Sequence, residues 1–168
     1  MDSNELRAMQ APLKEKYQAD ATAAAVTLRA SGQLGEGVSC RVSTGPAIVT
    51  AGLHPATGGD GMAACSGNML LDALVACAGV TLSAVATAIG VAIRSGTVSA
   101  EGDLDFRGTL GVSKEAPVGL HHIRLRFDLD TDATREQLDN LLRLTERYCV
   151  VYQTLRTPPV MEARIQQQ

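Results

Sequence analysis

The alternation of apolar and polar positions along the chain predicts its elements. Leu6, Met9, Leu13 and Tyr17 fall near helical spacing over residues 3–19, behind Asp2 or Ser3 as a cap. Pro12 is expected to kink or split that helix. Residues 21–30 read as a strand, 31–35 as a turn, and 38–42 and 47–51 as further strands separated by Gly45-Pro46. A Gly-rich loop over 52–66 leads into a nearly all-apolar helix over 67–90. Residues 91–107 read as a strand, with alternation clearest over 103–107, and 108–119 as a loop. Over 120–130, Ile123, Leu125, Phe127 and Leu129 share one face, with Arg124, Arg126 and Asp128 on the other. Thr131 or Asp132 is expected to cap a second helix over 133–148, with Leu138, Leu141, Leu142 and Thr145 facing inward. A short helical turn over 151–155 and a last strand over 158–165 complete the chain. Strands come in runs rather than alternating with helices. That favours an α+β fold with antiparallel sheet, in which residues 1–20 form a helical extension and 21–168 one domain.

Composition narrows the function classes. The chain has 168 residues, 15 Lys and Arg against 18 Asp and Glu, and a net charge of −3. There is no basic excess to meet a phosphate backbone, so nucleic acid is not an expected partner. Aromatics are 3% and Trp is absent, which leaves little to build a stacking platform. The polar first 20 residues do not resemble a secretory signal, so the cytoplasm is the expected compartment. Residues 73–93 carry no charge and are long enough to span a bilayer. They are rich in Ala, Gly, Thr and Ser, however, and removing them would leave the strands with nothing to pack on. A buried core helix is the expected state, with membrane insertion as the alternative.

The chemically unusual residues are four cysteines: Cys40, Cys65, Cys77 and Cys149. Their successive intervals of 25, 12 and 72 residues contain no C-x-x-C, and no H-x-x-x-H accompanies them. No metal or cofactor is therefore expected. No G-x-S-x-G is present, and Gly58-Gly59-Asp60-Gly61 lacks the ending of a phosphate-binding loop. By spacing alone, Cys77 and Cys149 read equally well as small buried hydrophobes. Cys40 alternates with Val38 and Val42 and is expected to pack in the sheet. Cys65 lies at the start of the apolar helix, where a thiol is more easily ionised; it reads as an incidental loop thiol or a competing partner.

The surroundings of the two cysteines add a resemblance. The stretch GGDGMAACSGNMLLDALVACAGVTLSAVATAIG resembles the first cysteine helix of the OsmC/Ohr family of thiol-dependent hydroperoxide reductases. LLRLTERYCVVYQTL resembles that family's second cysteine motif, and the order and separation of the two also fit, over roughly residues 21–166. The resemblance implies an intertwined homodimer, with sheets wrapped around central cysteine-bearing helices and active sites at the subunit interface. It implies that Cys77 attacks an organic hydroperoxide and becomes a sulfenic acid, that Cys149 resolves it to a disulfide, and that a dithiol reductant recycles the pair.

Such chemistry asks for a Cys77 thiol that ionises easily, and hence for a nearby positive charge. Members of the family usually carry an Arg near the active thiol and a Glu in the first turn of its helix. Here the first-turn positions are Gly67 and Asn68, and the loop from 52 to 66 contains no Arg. His54 is the one potential cation in that loop, and Arg41 and Arg29 are strand-borne alternatives. Asp72 reads as a charge favoured by the helix dipole. The competing function is an OsmC-like dimer that binds an apolar small molecule or acts as a redox sensor. The N-terminal helix is expected to cap the interface pocket through Leu6, Met9 and Leu13. Deleting residues 1–20 is then expected to lower both activity and dimer stability; a truncated protein unchanged in turnover and in sedimentation would remove the idea.

Overall fold

The computed structural model describes residues 2–19, 32–34, 39–44 and 47–167. The strand expected over 21–30 lies outside the described residues. The first helix, α1, runs unbroken over Ser3–Ala19 with Pro12 inside it. Asp2 is its cap: Oδ1 accepts the Asn4 and Glu5 N–H groups at 2.8 Å each, and Glu5 returns a carboxylate to the Asp2 N–H at 2.8 Å.

Strands β1 (Gly32–Leu34), β2 (Ser39–Thr44), β3 (Ala47–Gly52) and β4 (Ala64–Cys65) form one sheet in that order. The segment expected to be only a turn thus contributes β1, which pairs antiparallel with β2. The β2–β3 pair is antiparallel, and the short β3–β4 pair is parallel. β5 (Ser95–Asp103) and β6 (His122–Asp130) form a second, antiparallel sheet, from Ser95 opposite Asp130 to Asp103 opposite His122. The expected strand over 91–107 is trimmed at both ends. Val91 closes the preceding helix by donating to the Ala86 carbonyl at 2.9 Å. Asp105 accepts the Arg107 N–H at 3.0 Å and so starts the one-turn helix α3 (Phe106–Thr109) instead of continuing the strand.

The central element is α2, Ser66–Ile89. It stops at Gly90, whose φ of 73° suits the left-handed cap that glycine adopts without strain. Leu74, Ala78, Leu82 and Ala86, spaced four apart, form its buried stripe. Leu82 and Ala86 join Val91 and Leu141 in the core, against Ile93, Phe127 and Leu129. The inward face expected for β6 is therefore the face that meets α2 and its flanks.

Helix α4 (Arg135–Tyr148) is capped by Thr134, not by Thr131 or Asp132. Thr134 and Gln137 exchange side-chain to backbone bonds at 2.8 and 3.3 Å. Thr131 is engaged elsewhere, donating to the Ala92 carbonyl at 2.6 Å, and Asp132 pairs with Arg94. Helix α5 (Val150–Arg156) follows after one non-helical residue. The last strand expected over 158–165 does not form. This segment pairs with nothing among the described residues, and Val160 is 95% exposed.

α2 is long and apolar enough to cross a membrane, yet α4, α5, β5 and α1 all pack on it. Leu141 is the residue through which α4 grips that core, at 1% exposure. Leu141→Ala is expected to cost about 2–5 kcal/mol of folding stability, read as an earlier midpoint in urea.

Candidate active site

The site is made where α2 passes the junction of α4 and α5. Cys77 projects from the middle of α2, beside the buried stripe, and is half-buried. Cys149 is the non-helical residue at the junction, with φ −74° and ψ 110°, and is 1% exposed. Its backbone is held on both sides. Its N–H donates to the Thr145 carbonyl at 2.9 Å, and its carbonyl accepts the Gln153 N–H at 3.0 Å. Gln153 also ties the two helices together, its side-chain amide donating to the Glu146 carbonyl at 2.7 Å.

This break turns the first N–H groups of α5 toward α2. Burial pushes the Cys77 thiol up, but the Val151 N–H, the Cys149 thiol, the Val150 N–H and the Thr81 hydroxyl together outweigh it. The net effect holds Cys77 below the ordinary thiol range. Cys149 moves the other way. Burial raises it most, and the Cys77 sulfur raises it further by hydrogen bond and by charge. The backbone N–H groups of Tyr152 and Val151 offset this only in part. Of the two thiols, Cys77 is therefore the one that gives up its proton more easily.

Cys149 also lines a cavity of about 440 Å³ between α2, β6, α4 and α5. Its walls are apolar, with Leu74, Ile123, Leu125, Phe127 and Leu142 among them. His121, Thr145, Glu146, Tyr152 and Arg156 supply its polar part. Burial pushes the Tyr152 phenol up, Glu146 adds to this by charge and hydrogen bond, and Arg156 opposes it.

His54 and Cys65 stand apart from this junction. His54 lies in a second cavity, of about 320 Å³, with Cys65, Gly67 and Asn68. Its ring stacks on Phe106 with centroids 4.9 Å apart, and Nδ1 accepts the Ala56 N–H at 3.1 Å. Cys65 precedes α2 and lies twelve residues from Cys77, about 18 Å along the helix axis. Arg41 sits in β2 opposite Thr50, and its side chain is outside the described part of the structure. So is the Cys40 side chain, and Arg29 lies outside the described residues altogether. Asp72 is exposed on α2. Among the described residues no three of His, Cys, Asp and Glu gather as a metal site would require.

Among the described residues, the groups that lower the Cys77 thiol are the Val151 and Val150 N–H groups, the Cys149 thiol and the Thr81 hydroxyl, and sequence reasoning named only Cys149 of these. A search limited to charged residues could not find them. The signals were nonetheless present: a helical turn directly after Cys149, and a threonine one helical turn after Cys77.

Comparison with known proteins gives consistent relatives. A family model described as OsmC-like protein matches residues 58–164. No curated protein matches the sequence. Among solved structures, an OsmC-like protein from Mycoplasma pneumoniae is similar at 18% identity with a TM-score of 0.66, covering 79% of this chain and 89% of that one. An organic hydroperoxide resistance protein from Elizabethkingia anophelis, with thiocyanate bound, is similar at 16% identity and TM-score 0.64, over 80% and 91% of the two chains. An organic hydroperoxide resistance protein OsmC from Legionella pneumophila follows at 15% identity and TM-score 0.61, over 79% and 90%.

The ordering of the two thiols is open to direct measurement. In protein labelled with ¹³C at cysteine Cβ, the Cys77 resonance is expected to titrate at lower pH than that of Cys149. Removing the neighbouring charge by Cys77→Ser is expected to bring the Cys149 titration down. A Cys149 midpoint that does not move would show that burial alone sets it.

Proposed function

Since the chain belongs to the OsmC-like family, we propose that it is a two-cysteine peroxidase reducing organic hydroperoxides, with Cys77 attacking and Cys149 resolving. The observation that carries this reading is the coupling of a more easily ionised Cys77 to a buried Cys149 that ionises less easily. The Cys77 thiolate attacks the distal peroxide oxygen. The O–O bond breaks, Cys77 becomes a sulfenic acid, and the alkoxide leaves and takes up a proton as the alcohol. Oxidation removes the negative charge from Cys77. The charge that had opposed ionisation of Cys149 is then gone, and Cys149 can lose its proton and attack the sulfenic sulfur. Water leaves and the disulfide forms. A dithiol reductant donates two electrons by exchange, restoring both thiols and leaving as its own disulfide.

In this reading the homodimer is the working unit. α2 is the longest helix and the most apolar, yet only 28% of its most apolar stretch is buried within one chain. Val80 on α2 and Val150 at the head of α5 are 73% and 67% exposed. They lie on the two elements that carry the thiols, so a second copy covering them would border the site. Residues 1–20 are an extension to this domain, and the compartment is cytoplasmic.

The competing reading, binding of an apolar molecule without turnover, draws on the 440 Å³ cavity at Cys149. One experiment separates the two. The reduced protein is given one equivalent of an organic hydroperoxide, with hydrogen peroxide in parallel, and its peptides are weighed. Rapid loss of two hydrogens, mapped to a Cys77–Cys149 peptide pair and faster with the organic peroxide, is the expected result. Cys149→Ser is expected to stop at a Cys77 sulfenic acid that a carbon nucleophile traps. Thiols that stay reduced would overturn the peroxidase reading and leave the binding one.

A further inference from the structure

Resting on that reading, we propose that Gln153 is a positioning residue for the resolving thiol: its side-chain amide keeps α4 and α5 from fusing and so holds Cys149 out of helical geometry. The observation is an exchange of hydrogen-bond partners at the junction. The Cys149 N–H makes the last regular bond of α4, to the Thr145 carbonyl at 2.9 Å. Were the helix to continue, the Val150 N–H would next take the Glu146 carbonyl. Among the described residues no backbone bond joins those two groups. The Gln153 side-chain amide occupies the Glu146 carbonyl instead, at 2.7 Å. The Gln153 main-chain N–H meanwhile donates to the Cys149 carbonyl at 3.0 Å, within the first turn of α5. One residue therefore holds an acceptor before the break and the acceptor at the break itself.

The Glu146 carbonyl needs a partner. It lies in the last turn of α4, whose carbonyls have none inside the helix, and the bond from Gln153 is partly buried. With the Gln153 amide removed, the next donor in regular order is the Val150 N–H. A bond between that group and Glu146 draws Cys149 into α4 and turns its ψ from 110° toward the helical value of about −42°. Both α4 and α5 pack on α2. A turn of that size between them unseats one helix or the other from α2. Cys149 then loses either its place against α2 or the helix that covers it, and the two thiols meet less often.

Val150→Pro offers an independent way to hold the break. Proline has no N–H to give Glu146 and suits the first position of α5. It also confines the residue before it to the extended region, which Cys149 already occupies.

The test is the equilibrium between the thiol pair and its disulfide in mixtures of reduced and oxidised dithiothreitol, read by peptide mass spectrometry. Oxidised dithiothreitol takes two electrons and two protons from the pair, so no peroxide is needed. Gln153→Met, similar in size but without the donor, is expected to weaken the Cys77–Cys149 disulfide about tenfold, the order of one hydrogen bond. Gln153→Ala stands in if the methionine variant melts early. The double variant Gln153→Met/Val150→Pro is expected to match Val150→Pro alone, which a loss of general packing at Gln153 would not allow. In protein labelled with ¹³C at cysteine, the Cys149 Cα shift is expected to move toward helical values in Gln153→Met and not in the double variant. A disulfide of unchanged strength in Gln153→Met, or a loss that persists with the proline in place, overturns the proposal. A wild-type chain that forms no Cys77–Cys149 disulfide in these mixtures overturns both the proposal and the two-cysteine reading. If the equilibrium and the shift move as expected while the wild-type protein consumes no hydroperoxide, the role of Gln153 stands and the peroxidase reading falls.

Discussion

A 24-residue helix with one charge along its length must be covered, and most of the fold answers that demand. The β5–β6 sheet, α4, α5 and α1 each take part of its surface. The buried stripe from Leu74 to Ala86 is made of alternating large and small side chains, which lets the neighbours come close without voids. Cys77 lies beside that stripe, so the packing that stabilises the core also fixes the sulfur. A thiol in such a place would ordinarily be inert, because burial disfavours its charged form.

What makes this thiol different is a single residue at which helical geometry lapses. Cys149 ends α4 and begins α5 without being helical itself. The lapse leaves N–H groups at the head of α5 without partners inside the helix, and these face Cys77. Backbone dipoles here favour the charged form of Cys77. They also come with the fold of the junction and with no side chain that must be held in one rotamer. The same residue supplies the second thiol, so in the proposed cycle activation and resolution would depend on one piece of local geometry.

Much of this could be read from the chain, and the exceptions have physical causes. α2, α4 and β6 were legible because their apolar spacing is strong and tertiary packing agrees with it. The cap of α4 was misplaced because Thr131, Asp132 and Thr134 all suit that role, and contacts distant in sequence decide among them: Ala92 takes Thr131 and Arg94 takes Asp132. The segment 158–165 alternates like a strand, but a strand needs an edge to pair with, which alternation cannot supply. The two cysteines were visible as a pair. Their unequal acidity was not, because it arises from N–H directions at a helix junction and from burial, neither of which a residue letter records. His54 was selected by its charge type, yet its Nδ1 is committed to the Ala56 N–H.

The backbone of Cys149 is tied on both sides, to Thr145 and to Gln153, and its thiol and that of Cys77 shift each other's ionisation. A disulfide of about 2 Å formed by side-chain rotation would leave those backbone ties, and with them α4 and α5, in place. Reduced and oxidised forms would then have nearly the same outline. In the proposed cycle such a molecule would turn over with little mechanical work, and it would make a poor signalling device. Anything that reads its oxidation state would have to sense the sulfur chemistry itself, because the surface of the molecule would carry almost no message.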